Sequence, residues 1–206
     1  MILYKKQGQK RRKMQEIKEL THALHFLIKR RSNGGNIANI MSILKLLFFA
    51  QRYHLRKYGR LIADDKFVAM KHGPVESLAY DIMKGNYKQI KKEADKDFAS
   101  EILEPLGQRN IRIKKDIESY DELSDSDIEA LEFACDKFGD MEQWQLVDET
   151  HKYIEWKKHE NKLNETTKQV KMDILDMFGE NPKNSPFDII PQEKTDINRD
   201  FYLGNF

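Results

Sequence analysis

Residues 45–75 read "KLLFFAQRYHLRKYGRLIADDKFVAMKHGPV", and the change of period within this stretch decides the fold. Up to Tyr58 the apolar residues recur at helical spacing. The helix predicted over 37–58 has Ile40, Leu44, Leu47 and Phe48 as its buried stripe. Met41, Phe49 and Leu55 widen that stripe so far that the helix belongs at the centre of the core. Gly59 suits a C-terminal cap. Beyond it, two short apolar runs flank the polar pair Asp64-Asp65, which predicts a small β-hairpin turning there. Strands this short must pack on helices to be stable. "KHGPV" (71–75) then reads as a hinge into the next helix. Gly73 supplies backbone freedom, Pro74 takes the first helical position, where its missing N–H costs nothing, and Val75 enters the core. Val75, Leu78, Ala79, Ile82 and Met83 mark one face of that helix, and Gly85 ends it.

Outward from this centre the chain stays helical. Over 10–31, Met14, Ile17, Leu20, Leu24 and Leu27 share one face, and "SNGGN" (32–36) breaks the chain. Residues 86–120 predict a short helix and, at "IRIKK", a short strand. Residues 123–139 form a clear helix, with Ser124 and Asp127 placed as a capping box. A helix over 142–151 and an amphipathic helix over 165–179 follow. Three prolines and no clear period make 181–206 read as an irregular tail, although its Phe187, Ile189, Ile190, Phe201, Tyr202 and Phe206 call for a docking surface. The expectation is a mainly α, compact helical domain with one small antiparallel β-hairpin. Its organisation is a basic N-terminal helix and loop over 1–35, a helical domain over 36–180, and the tail.

Composition narrows the function. Apolar residues make up 39% of the 206 and charged residues 34%, enough for one packed domain. No run reaches the roughly 20 apolar residues that span a bilayer, and no apolar signal core follows the basic start. The single Cys135 allows no internal disulfide. These features predict a cytoplasmic location with no membrane partner. The net charge of +2 hides an asymmetry: residues 1–115 carry 26 basic and 11 acidic side chains, and residues 116–206 carry 10 and 23. Either the two halves fold against each other, or each face recruits a differently charged partner.

Searches for chemistry return little. His22 and His25 lie three apart on a helix, but a zinc site needs three or four ligands, and neither HExxH nor a cysteine pair is present. Cys135 falls at an apolar mid-helix position, where cysteines are inert. No phosphate-cradling glycine loop or nucleophile elbow exists. We therefore expect no enzyme, no cofactor and no metal. A hydrolase built on His72 and His151 would need a nucleophile and a base partner beside them. Without those, His72 reads as a polar residue supporting the fold. "KKQGQKRRK" and "IKRRS" offer phosphate contacts, so a nucleic-acid-binding regulator using the basic N-terminal half is the alternative. Trp144, Tyr153, Trp156 and the aromatic tail are either protein-binding residues or core anchors.

Taken together, several stretches resemble a known family. The 45–75 stretch resembles the start of the SocA-like antitoxins, also called the Panacea antitoxin domain. That pattern runs through an apolar helix with a Lys-Leu-Leu-aromatic-aromatic-Ala-Gln core, a glycine, a hairpin and a Gly-Pro-Val turn. "LSDSDIEALEFACDKFGDMEQWQLVDETHKYIEW" (123–156) resembles the second half, with Leu123-Ser124, Thr150-His151 and Trp156 in the family's order. Tyr53 departs from it, standing where the family has a tryptophan-like position. The resemblance covers about 36–160. It implies a mainly α-helical fold with a small β element, and family-motif residues Gln51, Tyr53, His72, Gly73, Pro74, Val75, Thr150, His151 and Trp156. It also implies association with phages or mobile elements and neutralisation of a cognate protein toxin. One relative acts as an adaptor delivering its toxin to a protease, which makes an AAA+ protease a further candidate partner.

Overall fold

A computed structural model of the chain describes residues 2–205, with side chains from Glu16 onward. Met14 of the predicted stripe, the basic side chains of "KKQGQKRRK" and Phe206 lie outside the described residues. Helix α1 (Ile2–Arg31) leads through β1 (Ile37–Asn39) into α2 (Ile40–Tyr58), followed by β2 (Phe67–Met70), β3 (Gly73–Glu76) and α3 (Ser77–Met83). Then come α4 (Glu93–Ile102), β4 (Leu103–Leu106), β5 (Asn110–Ile113), α5 (Asp125–Phe138), α6 (Gln143–Thr150), α7 (Ile154–Lys157), β6 (Gln169–Lys171) and α8 (Gln192–Leu203). The fold is mainly α, as expected, but its β content is two three-stranded antiparallel sheets, ordered β1-β5-β4 and β3-β2-β6.

Helix α2 is the axis of the core. From Ser42 to Arg56 every side chain is buried, and α1, α5, α6 and α8 all pack on it. Asn39 starts it by accepting a hydrogen bond from the Ser42 N–H at 3.2 Å, and Gly59 ends it in the left-handed conformation (φ 69°). Leu20, Leu24 and Leu27 of α1 and Leu131 and Ala134 of α5 complete the interior. Ser124 and Asp127 form the predicted capping box on α5. The oppositely charged halves meet around the edge of this core. Lys18 pairs with Glu122 at 2.9 Å, Lys29 with Asp116 at 2.8 Å, Arg60 with Asp127 at 3.1 Å, and Lys57 with Glu129.

The structure corrects the sequence reading at three places. The hairpin turns at Lys71-His72 rather than at Asp64-Asp65, with Met70 opposite Gly73 and Ala69 opposite Pro74. Pro74 therefore lies in β3 and not at the start of a helix. Edge position explains its tolerance, because the outer side of β3 needs no N–H. Asp65 acts at a distance instead, accepting the N–H groups of Leu78 and Ala79 at the start of α3. Second, no helix spans 165–179. Gln169–Lys171 pair with the open edge of β2, and Asp173 caps a 3-10 turn at Ile174–Phe178. Third, 181–206 is not irregular. Phe187 is fully buried, and α8 docks on α2, where Asn198 Nδ2 donates to the Arg56 carbonyl at 2.8 Å.

Candidate binding cleft

Between the two sheets, at the N-terminal end of α2, lies a cleft of about 880 Å3. Ile40, Met41, Leu44 and Val75 give it an apolar floor. The β2–β3 hairpin, the β4–β5 turn, the start of α6 and the 163–168 loop form its walls. This volume falls in the range of ligand-sized pockets, and so does the pattern of an apolar lining with a few polar groups.

Family-motif residues far apart in the sequence converge behind the hairpin wall, and of them His72, Gly73 and Val75 reach the cleft itself. Gly73 has φ +93°, and a Cβ there would sit 2.5 Å from Thr150 Oγ1 and 2.9 Å from Lys45 Nζ. Only a glycine lets the hairpin press this closely on α2 and α6. Thr150 Oγ1 donates to the Val147 carbonyl at 2.7 Å. The His151 ring lies flat on Trp156, with centroids 3.5 Å apart and planes 4° from parallel. Trp156 Nε1 in turn donates to the Met70 carbonyl at 2.9 Å. Gly73, Pro74, Thr150, His151 and Trp156 thus form one seam joining hairpin, α2 and α6. Trp156 and Tyr153 are buried anchors, whereas Trp144 is 56% exposed at the mouth. His72 is exposed in the turn and packs edge-on against Trp144 at 5.3 Å. It marks the rim of the cleft and is not an internal support.

Two motif residues sit elsewhere. Gln51 is buried and clamps the chain between α2 and β2, donating to the Ala63 carbonyl at 3.0 Å and accepting from the Ile62 N–H at 2.8 Å. Tyr53 stacks on Phe133 at 4.1 Å and donates to Glu129 at 2.6 Å, so an aromatic ring suffices where the family pattern is tryptophan-like.

Lys45 has a role that no spacing in the sequence singles out. It is fully buried, and its Nζ donates to the Pro74 carbonyl at 2.6 Å. Burial pulls its pKa down to about 7, against the opposing pull of Glu76. Glu76 is also fully buried, and neither carboxylate oxygen has a hydrogen-bond partner among the described residues. Burial first, and the Asp65 charge second, push its pKa well up, so the pair is driven toward neutral forms. Burial likewise lowers the pKa of His151, with Lys45 adding to the effect. The signal that could have exposed this pair was a lysine at a core position of the most apolar helix.

The other candidates resolve differently. Among the described residues no three His, Cys, Asp or Glu side chains gather as metal ligands. His22 stacks on Phe98, and His25 bonds Tyr120 and Asp116. Burial raises the Cys135 thiol to about 11. No described helix is long and apolar enough to cross a membrane.

The sequence model of the Antitoxin SocA-like, Panacea domain family matches residues 43–157, more than half of the chain. The chain belongs to this family. No curated protein and no solved structure matches it. The Panacea match runs from α2 to α7 and contains the whole hairpin–α2–α6 seam. The α1 helix, the 163–168 wall of the cleft and α8 lie outside the match.

Proposed function

We propose that this protein is an antitoxin that neutralises a cognate protein toxin by binding it directly. Membership of the SocA-like, Panacea family over 43–157 carries this reading. The exposed Trp144 beside an open cleft supports it, since partly exposed aromatics are the usual anchors of protein interfaces. Neutralisation by binding asks no side chain to make or break a bond, which agrees with a sequence that offers no catalytic constellation.

Co-expression with the product of the neighbouring gene tests the proposal. That product should arrest growth alone, be harmless with this protein, and co-purify with it. A harmless neighbour, or toxicity that persists without a stable complex, would reject the proposal. If the protein also serves as an adaptor for an AAA+ protease, the toxin's half-life shortens in its presence. An unchanged half-life leaves direct neutralisation standing and removes the adaptor role. The nucleic-acid reading rests mainly on the 5–13 run, and of its second run Lys29 and Arg30 pair with Asp116 and Asp136.

A further inference from the structure

The rim of the cleft is cationic. Lys71 from the hairpin, Arg109 from the β4–β5 turn and Lys168 from the 163–168 wall are exposed at its edge. None makes an ion pair or side-chain hydrogen bond among the described residues. Lys84 adds a fourth cation, held against the Gln108 carbonyl. Glu165 is the acidic residue facing them. The N-terminal end of α2, the positive end of its macrodipole, opens onto the same space. Below the rim, Lys45 Nζ uses one donor on Pro74, and the floor is apolar. Trp144 stands over the mouth, with Tyr80 also lining the cleft.

These features describe a specific occupant. A positive rim of otherwise unpaired cations favours an anionic partner, and a deep apolar floor favours a bulky uncharged side chain between the anionic groups. A bare polyanion fits the rim but leaves the floor empty. A purely apolar segment leaves the rim cations unmatched. We propose that the cleft seats an acidic segment of the toxin, inserting one aromatic or large aliphatic side chain toward Met41 and Leu44 while its carboxylates meet Lys71, Arg109 and Lys168. This rests on the antitoxin reading and names the partner's chemistry. Part of the contact surface, the 163–168 wall, falls outside the family match, so it belongs to this chain's own choice of partner.

The test uses the full chain and the neighbouring gene's product. Two cleft variants are compared with wild type: the pair Lys71→Glu and Lys168→Glu, and the single change Trp144→Ala. A control pair, Lys183→Glu and Lys194→Glu, makes the same charge change at exposed positions away from the cleft. All are surface replacements, and circular dichroism and melting confirm that each folds. The cleft pair should weaken toxin binding roughly tenfold or more, with a shallower salt dependence, and the control pair less than about twofold. A benzophenone side chain at position 144 should cross-link to a toxin segment that is net acidic and holds a large apolar residue. If wild type binds the toxin and both cleft variants bind within about twofold of it, the toxin docks elsewhere. The inference then falls while the antitoxin reading stands. Equal losses in the cleft and control pairs, a basic cross-linked segment, or binding abolished by nuclease would each overturn it too. Failure of wild type to bind the toxin would remove the antitoxin reading and this inference together.

Discussion

Replacing Gly73 by alanine tests the seam that holds the hairpin on α2. The residue has φ +93°, a conformation that costs an L-residue about 1–2 kcal/mol. The new methyl also meets Thr150 Oγ1 at 2.5 Å and Lys45 Nζ at 2.9 Å, so both must move. Lys45 cannot retreat without stretching its bond to the Pro74 carbonyl, and a buried polar group left unpaired costs about 1–3 kcal/mol. Together these give a loss of roughly 2–5 kcal/mol, a large share of the ~5–15 kcal/mol that holds a domain together. For a chain of this size the melting temperature should drop by roughly 4–20 °C at about 2–4 °C per kcal/mol. Adding Thr150→Ala removes one of the two obstructing atoms and should recover about 1 kcal/mol, because the Thr150 hydroxyl otherwise bonds only the Val147 carbonyl. Denaturant titration of the wild type, the two single variants and the double variant measures this coupling. A Gly73→Ala protein that melts within 2 °C of wild type would refute the steric argument. If it were also unable to bind its partner, Gly73 would have to act at the contact surface instead.

Other outcomes follow from the buried charges. Glu76 has a folded pKa above its unfolded value, so its contribution to stability is complete below that unfolded value and is lost as pH rises toward the folded one. The Glu76 contribution should therefore fall as pH rises above about 5, while the lowered His22, His25, His54, His151 and His159 add stability as pH rises toward 6.5, and Lys45, with its pKa lowered to about 7, adds more above pH 7. Glu76→Gln should remove the Glu76 fall and leave the Asp65 and histidine parts, and a slope of denaturant midpoints from pH 5 to 8 unchanged from wild type would contradict the assignment. Arg52 Nε and Glu155 Oε1 are 2.7 Å apart, with both side chains fully buried. Glu155→Ala leaves that guanidinium without its carboxylate and should cost about 3–5 kcal/mol in the same titration, whereas the pair Arg52→Met and Glu155→Leu should recover most of it. Trp156→Phe removes the hydrogen bond to the Met70 carbonyl and should lower the melting point by about 2–8 °C, for a loss of about 1–2 kcal/mol.

The sequence was most legible where local and global preferences agree. The stripes of α1 and α2, the capping box at Ser124 and the C-terminal cap at Gly59 all follow from spacing and residue type, and the structure has each of them among the described residues. Legibility failed where a distant partner decides the local structure. Asp64-Asp65 has the composition of a turn, yet Asp65 is held by N–H groups of α3, and the turn shifts to Lys71-His72. The 165–179 stretch has a helical period, but its β-branched Thr166, Thr167 and Val170 are weak helix formers and β2 offers an open edge. The α8 helix was hidden because its apolar residues are mostly exposed; it is held partly through polar bonds to Arg56, from Gln192 and Asn198. For the site, the motif residues were found through their resemblance to a family, while the cationic rim was invisible. Lys71, Arg109 and Lys168 stand far apart in sequence and come together only through the two sheets.

The buried cations of α2 also govern the order in which a newly made chain can close. Lys45 donates to the Pro74 carbonyl, Arg52 to Glu155 and Asn181, and Arg56 to the carbonyls of Met177 and Gly179. Taking a guanidinium out of water without acceptors costs several kcal/mol. The helix made early therefore has to wait for segments made late. At about 5–20 residues per second, the interval between synthesis of Arg56 and of Gly179 is roughly 6–25 s. During that time the C-terminal half of α2 keeps its charges in water. Chains stopped at residue 160 should stay open to protease, and completed chains should become resistant in a single step. Early protection of the 160-residue chain would disprove this order. On this ordering the polypeptide gains a finished binding surface only when nearly all of it has left the ribosome.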